Sequence, residues 1–406
     1  MIRFLSRAAT TVARSAWLKP ISNGPSFFIP PATSPLRFFH EESNGPNASP
    51  VALQMIDYAL SLAKSQKTDE SFAQAMLVLE QCLSSQSSEG QDIVTQNSKG
   101  MVLLAMSNLL FGSCCHGSPC WTQFGVGALL ADKCLELLGK DERKRTVGEY
   151  VVADARAKAV KGLVELVCGN LGSAESLFQG FQDSEGYVGN AALSYGEFLH
   201  ATRNLSLAKD VYQKVINEVA ENKDFSGMHA LAACNMASEE VLLAAICALG
   251  QLEAHMGKFS DAEETLTKAL NKAEQLFGSR HPKVGVVLTC LALMFRQKAV
   301  QEHSTSLLIQ EGLYRRTMDL LKAPPLESEG NATMGSSNRR DILALARGGY
   351  AQALCVQQNR EKEGERMKRW AEAAWKNSRF SLTEVLKTSE SSNKLPVIDA
   401  RIGRIM

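Results

Sequence analysis

This 406-residue chain has no Asp or Glu before Glu41; up to that point its acid and base count is Arg3, Arg7, Arg14, Lys19 and Arg37 alone. It also lacks an unbroken apolar run of the eighteen or more residues that a membrane span needs, so a clear transmembrane segment is not expected. Alternation of β-branched residues with polar ones is almost absent, which argues against strands, and with them against the strand, glycine-rich loop and helix order of a nucleotide site. GVGALL at Gly125 to Leu130 has small residues but not that context, and reads as helix. No Ser, His and Asp ordering suggests a nucleophile and its base. Together these absences leave a non-enzymatic, all-α chain with no cofactor and no metal implied.

What is present in the first 39 residues is a basic amphipathic pattern. On a helix Arg3, Arg7 and Arg14 share one face, with Leu5, Val12 and Ala16 on another. This is the signature of a mitochondrial presequence, and Arg37-Phe38-Phe39-His40 resembles a processing site cut after Phe39. Its loss would move the formal charge from +1 to about -4. The expected location is mitochondrial, the matrix ahead of the intermembrane space; a chloroplast transit peptide and a plain basic tail are the alternatives. Residues 40–50, rich in Pro, Gly and Asn, read as a flexible linker.

The centre of the chain repeats. Gly250 and Ala262 lie twelve residues apart with Gly257 and Phe259 between them, and Gly196 with Ala208 and Gly162 with Ala174 keep the same interval. The last two pairs are offset by 34 residues, as are Phe178 and Tyr212, four places beyond each alanine. Small residues at the crossing let two helices approach, while Leu266 and Ala269 extend an apolar face at helical spacing. A helical hairpin at this period resembles the tetratricopeptide repeat. The next match, Ala292, follows 42 residues after Gly250, across GSRHPKV, and is similar to the longer repeat of kinesin light chains.

The resemblance implies a right-handed α-solenoid of about seven hairpins, TPR-like, whose units bury their faces on their neighbours. Residues 51–321 form the array, opened by a pair around Ala63, Ala75, Leu79 and Cys82 and a second of Met101 to Phe111 with Phe124 to Leu138. Residues 322–341, with Pro324 and Pro325, read as a disordered loop. A final hairpin spans 342–378, with Trp370, Ala373 and Ala374 as its apolar stripe. Residues 379–406, rich in Leu, Val and Ile, are expected either to cap the last pair with a helix or to fold back into the groove as an internal ligand.

Five of the ten cysteines, Cys82, Cys134, Cys168, Cys247 and Cys355, fall on apolar helix faces and read as buried hydrophobes. Cys114, Cys115, His116 and Cys120 crowd one loop. No second knuckle accompanies them, so a metal site is not expected, while a redox role for this loop remains one reading. The histidines His200, His255 and His303 lie on predicted helices, with His281 before Pro282, and in the linear sequence they assemble no site.

Function then rests on the groove that such arrays present. Positions one, four, eight and eleven of each first helix should point inward. They are Asn190, Leu193, Glu197 and His200; Ala244, Cys247, Gln251 and Ala254; and Val286, Thr289, Leu293 and Arg296. Tetratricopeptide domains that hold acidic chaperone tails present Lys, Asn and Arg here, a set this chain lacks. The groove instead suits a partner helix or peptide, which implies a scaffold, adaptor or assembly factor. Packing of these residues between repeats is the plainer alternative. An RNA-associated role competes with protein binding, although the basic clusters Lys140 to Arg145, Arg339-Arg340 and Glu361 to Arg369 are mixed with acid.

Overall fold

The computed structural model describes residues 49–66, 69–86, 93–112, 129–137, 148–181, 188–221, 238–303, 306–326, 340–357, 359–377, 379–387 and 395–406. The basic segment, the Cys114 to Cys120 loop and most of the Pro324 loop lie outside them. Helices come in consecutive packed pairs. They are α1 (Pro50–Gln66) with α2 (Asp69–Ser85), α3 (Ile93–Gly112) followed by helical residues 129–137, and α4 (Gly148–Cys168) with α5 (Leu171–Phe178). Then come α6 (Gly189–Ala201) with α7 (Leu205–Glu221), α8 (Ser238–His255) with α9 (Phe259–Phe277), α10 (Pro282–Gln301) with α11 (Leu307–Leu320), and α12 (Arg340–Cys355) with α13 (Glu361–Ala374). From α4 onward each first helix also packs on the first helix of the next pair, giving an all-α solenoid.

The crossings explain the small residues. A Cβ built on Gly162 would lie 2.6 Å from Phe178, on Gly196 2.6 Å from Tyr212, and on Gly250 2.6 Å from Leu266. Each partner is four residues beyond the alanine of its pair, so the side chain that fills the crossing repeats with the hairpin. The turns repeat as well. Asn170, Asn204 and Lys258 each donate a backbone N–H to the carbonyl five residues earlier, and Gly169, Arg203 and Gly257 just before them hold φ of 89°, 67° and 75°. This left-handed closure satisfies the last carbonyls of each first helix.

First and second helices bury differently. Along α9 only Phe259, Ala262, Leu266, Ala269 and Ala273 are buried, one stripe at 3- and 4-residue steps, whereas α6 is buried from Ala191 to Ala201 without a break. An all-round buried helix needs cover on both sides. In α6, α8 and α10 the second side is covered by the C-terminus of the chain. Helix α10 has the length and apolarity of a membrane span and is the one such helix among the described residues, but more than half of it is buried inside the array. It opens on His281, whose Nδ1 accepts the Lys283 N–H at 3.1 Å ahead of Pro282 at the first helical position.

Three expectations are corrected. Cys168 is exposed, because it is the last residue of α4 before the chain turns at Gly169. Cys355, the last residue of α12, is only part-buried. In α13 the buried face is Met367, Trp370, Ala371 and Ala374, and Ala373 points outward because it lies off that helical stripe. Among the described residues strands occur in one place: β1 (Ile398–Asp399) pairs antiparallel with β2 (Arg404–Ile405), Ile398 opposite Ile405 and Asp399 opposite Arg404.

Candidate partner-binding groove

After α13 the chain reverses. Asn377 Oδ1 accepts the N–H groups of Arg379 and Phe380 at 2.9 Å each, and the Trp375 indole N–H donates to the Phe380 carbonyl at 2.7 Å. Ser381 and Glu384 then cap a short helix, α14 (Leu382–Leu386), reciprocally. Leu382 and Leu386 rest where Gly348 leaves room on α12, so this stretch covers the last pair. The following residues do something else.

Residues 397–406 are buried throughout and fold as a hairpin inside the line of first helices. Val397 and Met406 exchange both backbone hydrogen bonds, at 3.0 and 2.8 Å, and Gly403 closes the turn at φ 63° by donating to the Asp399 carbonyl at 2.7 Å. Val397, Ile398, Ala400, Ile402, Ile405 and Met406 join the apolar core of α6, α8 and α10. Of the two fates expected for residues 379–406, α14 follows the cap and the hairpin follows the internal ligand.

Polar contacts fix the register. Gln251 of α8 clasps one residue of the hairpin by its main chain, accepting the Ile398 N–H at 2.8 Å and donating to the Ile398 carbonyl at 2.9 Å. The Leu395 N–H and Arg379 Nη2 both donate to the Ala201 carbonyl at the end of α6, at 3.3 and 2.8 Å, and Asn377 Nδ2 donates to the Ile405 carbonyl at 2.8 Å.

Arg401 is the anchor. Its side chain is 2% exposed, and its Nη2 donates to Glu197 and, at 2.9 Å, to Asp399 Oδ2, while Nε reaches Asp399 Oδ1 at 3.0 Å. Nη1 donates to Ser194 Oγ at 3.1 Å and to the Asn190 side chain. Burial pulls this guanidinium down, but the charges of Asp399 and Glu197 overcome that and hold it above its ordinary value. Burial pushes the Glu197 carboxyl well above the usual carboxylate range, against the pull of Arg401 and helped by Asp399. One guanidinium serves two buried carboxylates, and Glu197 Oε1 is left without a hydrogen bond.

A second buried polar group joins two histidines that the linear sequence kept apart. His200 Nε2 and His255 Nδ1 are 2.8 Å apart and Tyr212 Oη is 3.3 Å from His200 Nδ1. A proton on the tyrosine and on His200 Nε2 satisfies the chain of bonds. Burial lowers His200 well below its ordinary value, aided by His255, and burial with the Arg203 charge takes His255 down to about 4. Both are therefore neutral near pH 7. Among the described residues no group of three or more His, Cys, Asp or Glu side chains is arranged to hold a metal ion.

No protein-family model and no curated protein sequence matches this chain.

The inward positions divide by what they meet. Asn190, Glu197 and Gln251 bind the hairpin, and Val286 lies against Gly403. Ala254, Leu293 and Arg296 line a recess with His255, Pro396 and Ile398. Leu193, Ala244 and Thr289 are fully buried, with the Thr289 hydroxyl donating to the Gly285 carbonyl at 2.9 Å. Cys247 and Cys290 face each other across α8 and α10 with sulfurs 3.7 Å apart, and Cys247 together with burial holds the Cys290 thiol well above its ordinary value. Cys290 is thereby a protonated, unreactive thiol. Ser194, Asp399 and Arg401 were not among the expected site residues. The trace of Asp399 and Arg401 in sequence is the charge in VIDARIGRI, where with Arg404 they make three charged residues in an apolar end.

Proposed function

We propose that this chain is a non-enzymatic mitochondrial adaptor or assembly factor of the tetratricopeptide type, which captures a partner peptide or helix along its first helices. The observation that carries the reading is the seat of residues 395–406: backbone held by Gln251 and an arginine held by Asn190, Ser194 and Glu197. A surface that binds main chain by an amide and one side chain by charge is built as peptide-recognition surfaces are. The repeat of the glycine crossings at 34 residues supports the tetratricopeptide assignment, and the acid-free, arginine-bearing start supports the organellar one.

The test is affinity capture of the tagged chain from isolated mitochondria, compared with a Leu293→Asp, Arg296→Glu variant. Both positions are only part-buried, so the variant is expected to keep its fold. Partners recovered by the parent and lost by the variant support the reading. Equal recovery overturns it, as does recovery of RNA whose affinity falls steeply between low and moderate salt.

A further inference from the structure

We propose that the groove is a reader of hairpin-forming segments in which an apolar residue on the strand is followed three places later by an arginine in the turn, with Ile398 to Arg401 as its resident copy, displaced by a partner segment of the same pattern. This rests on the reading of the array as a peptide-binding adaptor and names what it binds.

Three observations carry it. The groove presents polar groups to the hairpin. Ser194, Glu197 and Gln251 are buried and in hydrogen-bonding contact with the hairpin, and the charge that Ser194 and Glu197 hold belongs to the hairpin. A lid needed merely to hide apolar surface would be better made apolar, since desolvating an arginine with two carboxylates is a weak source of stability. Its gain is selectivity: a segment without the guanidinium leaves Glu197 buried and unpartnered.

Next, the recognition is split between main chain and side chain. Gln251 takes both backbone groups of Ile398, whatever its side chain, and the arginine pocket begins three residues further on. Any segment that presents one extended residue to Gln251 meets the first requirement, and the second selects among them. Lastly, the hairpin has strands of two residues each. A ribbon of that size does not hold itself together in water, so its order comes from the groove and is lost when another segment takes its place.

The experiment inserts a protease site between residues 388 and 394 of the full chain, cuts it in the folded state and adds a labelled peptide of residues 395–406. Cut chain is expected to take up the peptide saturably, uncut chain only at higher peptide concentration because its tethered hairpin competes, and a peptide with Arg401→Ala is expected to bind at least about tenfold more weakly. Where cutting unfolds the array, the uncut chain carrying Arg401→Ala serves instead. It should accept the parent peptide in place of its own weakened hairpin.

Two results overturn the proposal: a cut chain that keeps its own hairpin against a large excess of peptide, or equal binding of the alanine peptide. Failure here with partners still lost from the Leu293→Asp, Arg296→Glu variant removes the arginine-reading site and leaves the adaptor standing. Peptide uptake with no mitochondrial partner does the reverse.

Discussion

Arg401 decides more than its size suggests, because it neutralises two carboxylates that nothing else serves so closely. Arg401→Ala should cost about 3–5 kcal/mol in urea unfolding, since Glu197 and Asp399 are then buried without their cation. Arg401→Met combined with Glu197→Leu should cost far less, because no charge on the groove is stranded. Glu197 is also titratable evidence. Its folded value lies above its unfolded 4.5, so the folded state holds that proton more tightly and loses stability as pH rises through the interval above 4.5. Relative to the parent, Glu197→Gln should therefore gain in melting temperature as pH climbs from about 4.5 towards 7.

The histidine pair has the opposite sign. His200 and His255 fall below their unfolded 6.5, so the unfolded chain takes up protons first and stability is lost as pH drops below that value, by up to about 1.4 kcal/mol per pH unit for each. Replacing both by Gln should flatten the fall in stability between pH 7 and 5; an unchanged slope would show that the pair titrates normally.

At the scale of the hairpin, the crossing is the unit that the sequence spells out. A Cβ added to the glycine would lie 2.6 Å from the residue sixteen places later in three successive pairs, which leaves no slack for a methyl group. Gly196→Ala should cost about 1–3 kcal/mol by chemical denaturation, because Tyr212 is fully buried and its ring has nowhere to move. Substituting Gly172, where nothing lies within 4 Å of an added Cβ, should be neutral or slightly stabilising and so serves as the control. These contacts were legible because helix geometry is local: spacing along the chain fixes which residues share a face. Turn closure was legible at Gly169 and Gly257 and hidden at Arg203, where a long side chain takes the same left-handed conformation. The exposure of Cys168 was hidden too, since spacing places a face but not the point where a helix ends.

For the molecule as a whole, the array could be read from its repeat and the occupant of its groove could not. Glu197 was among the inward positions, but its partner Arg401 lies 204 residues away and shares no periodicity with it. The same holds for His200 and His255, brought together by adjacent first helices across a non-repeating interval. The apolar content of 395–406 was visible; its two-residue strands were not, because they are stabilised by α6, α8 and α10 rather than by their own alternation. The all-round burial of the first helices is the physical consequence, and it ties the stability of the array to its last ten residues.

The central claim is that these residues fill the groove as part of the folded core, held there by Arg401. Hydrogen–deuterium exchange resolved to 395–406 tests it directly. The account predicts slow exchange of the Val397, Ile398, Gly403 and Met406 amides, comparable with α8 and α10, and faster exchange there in Arg401→Ala with α1 and α2 unchanged. Exchange of these four amides at the rate of a free tail in the parent chain would contradict it.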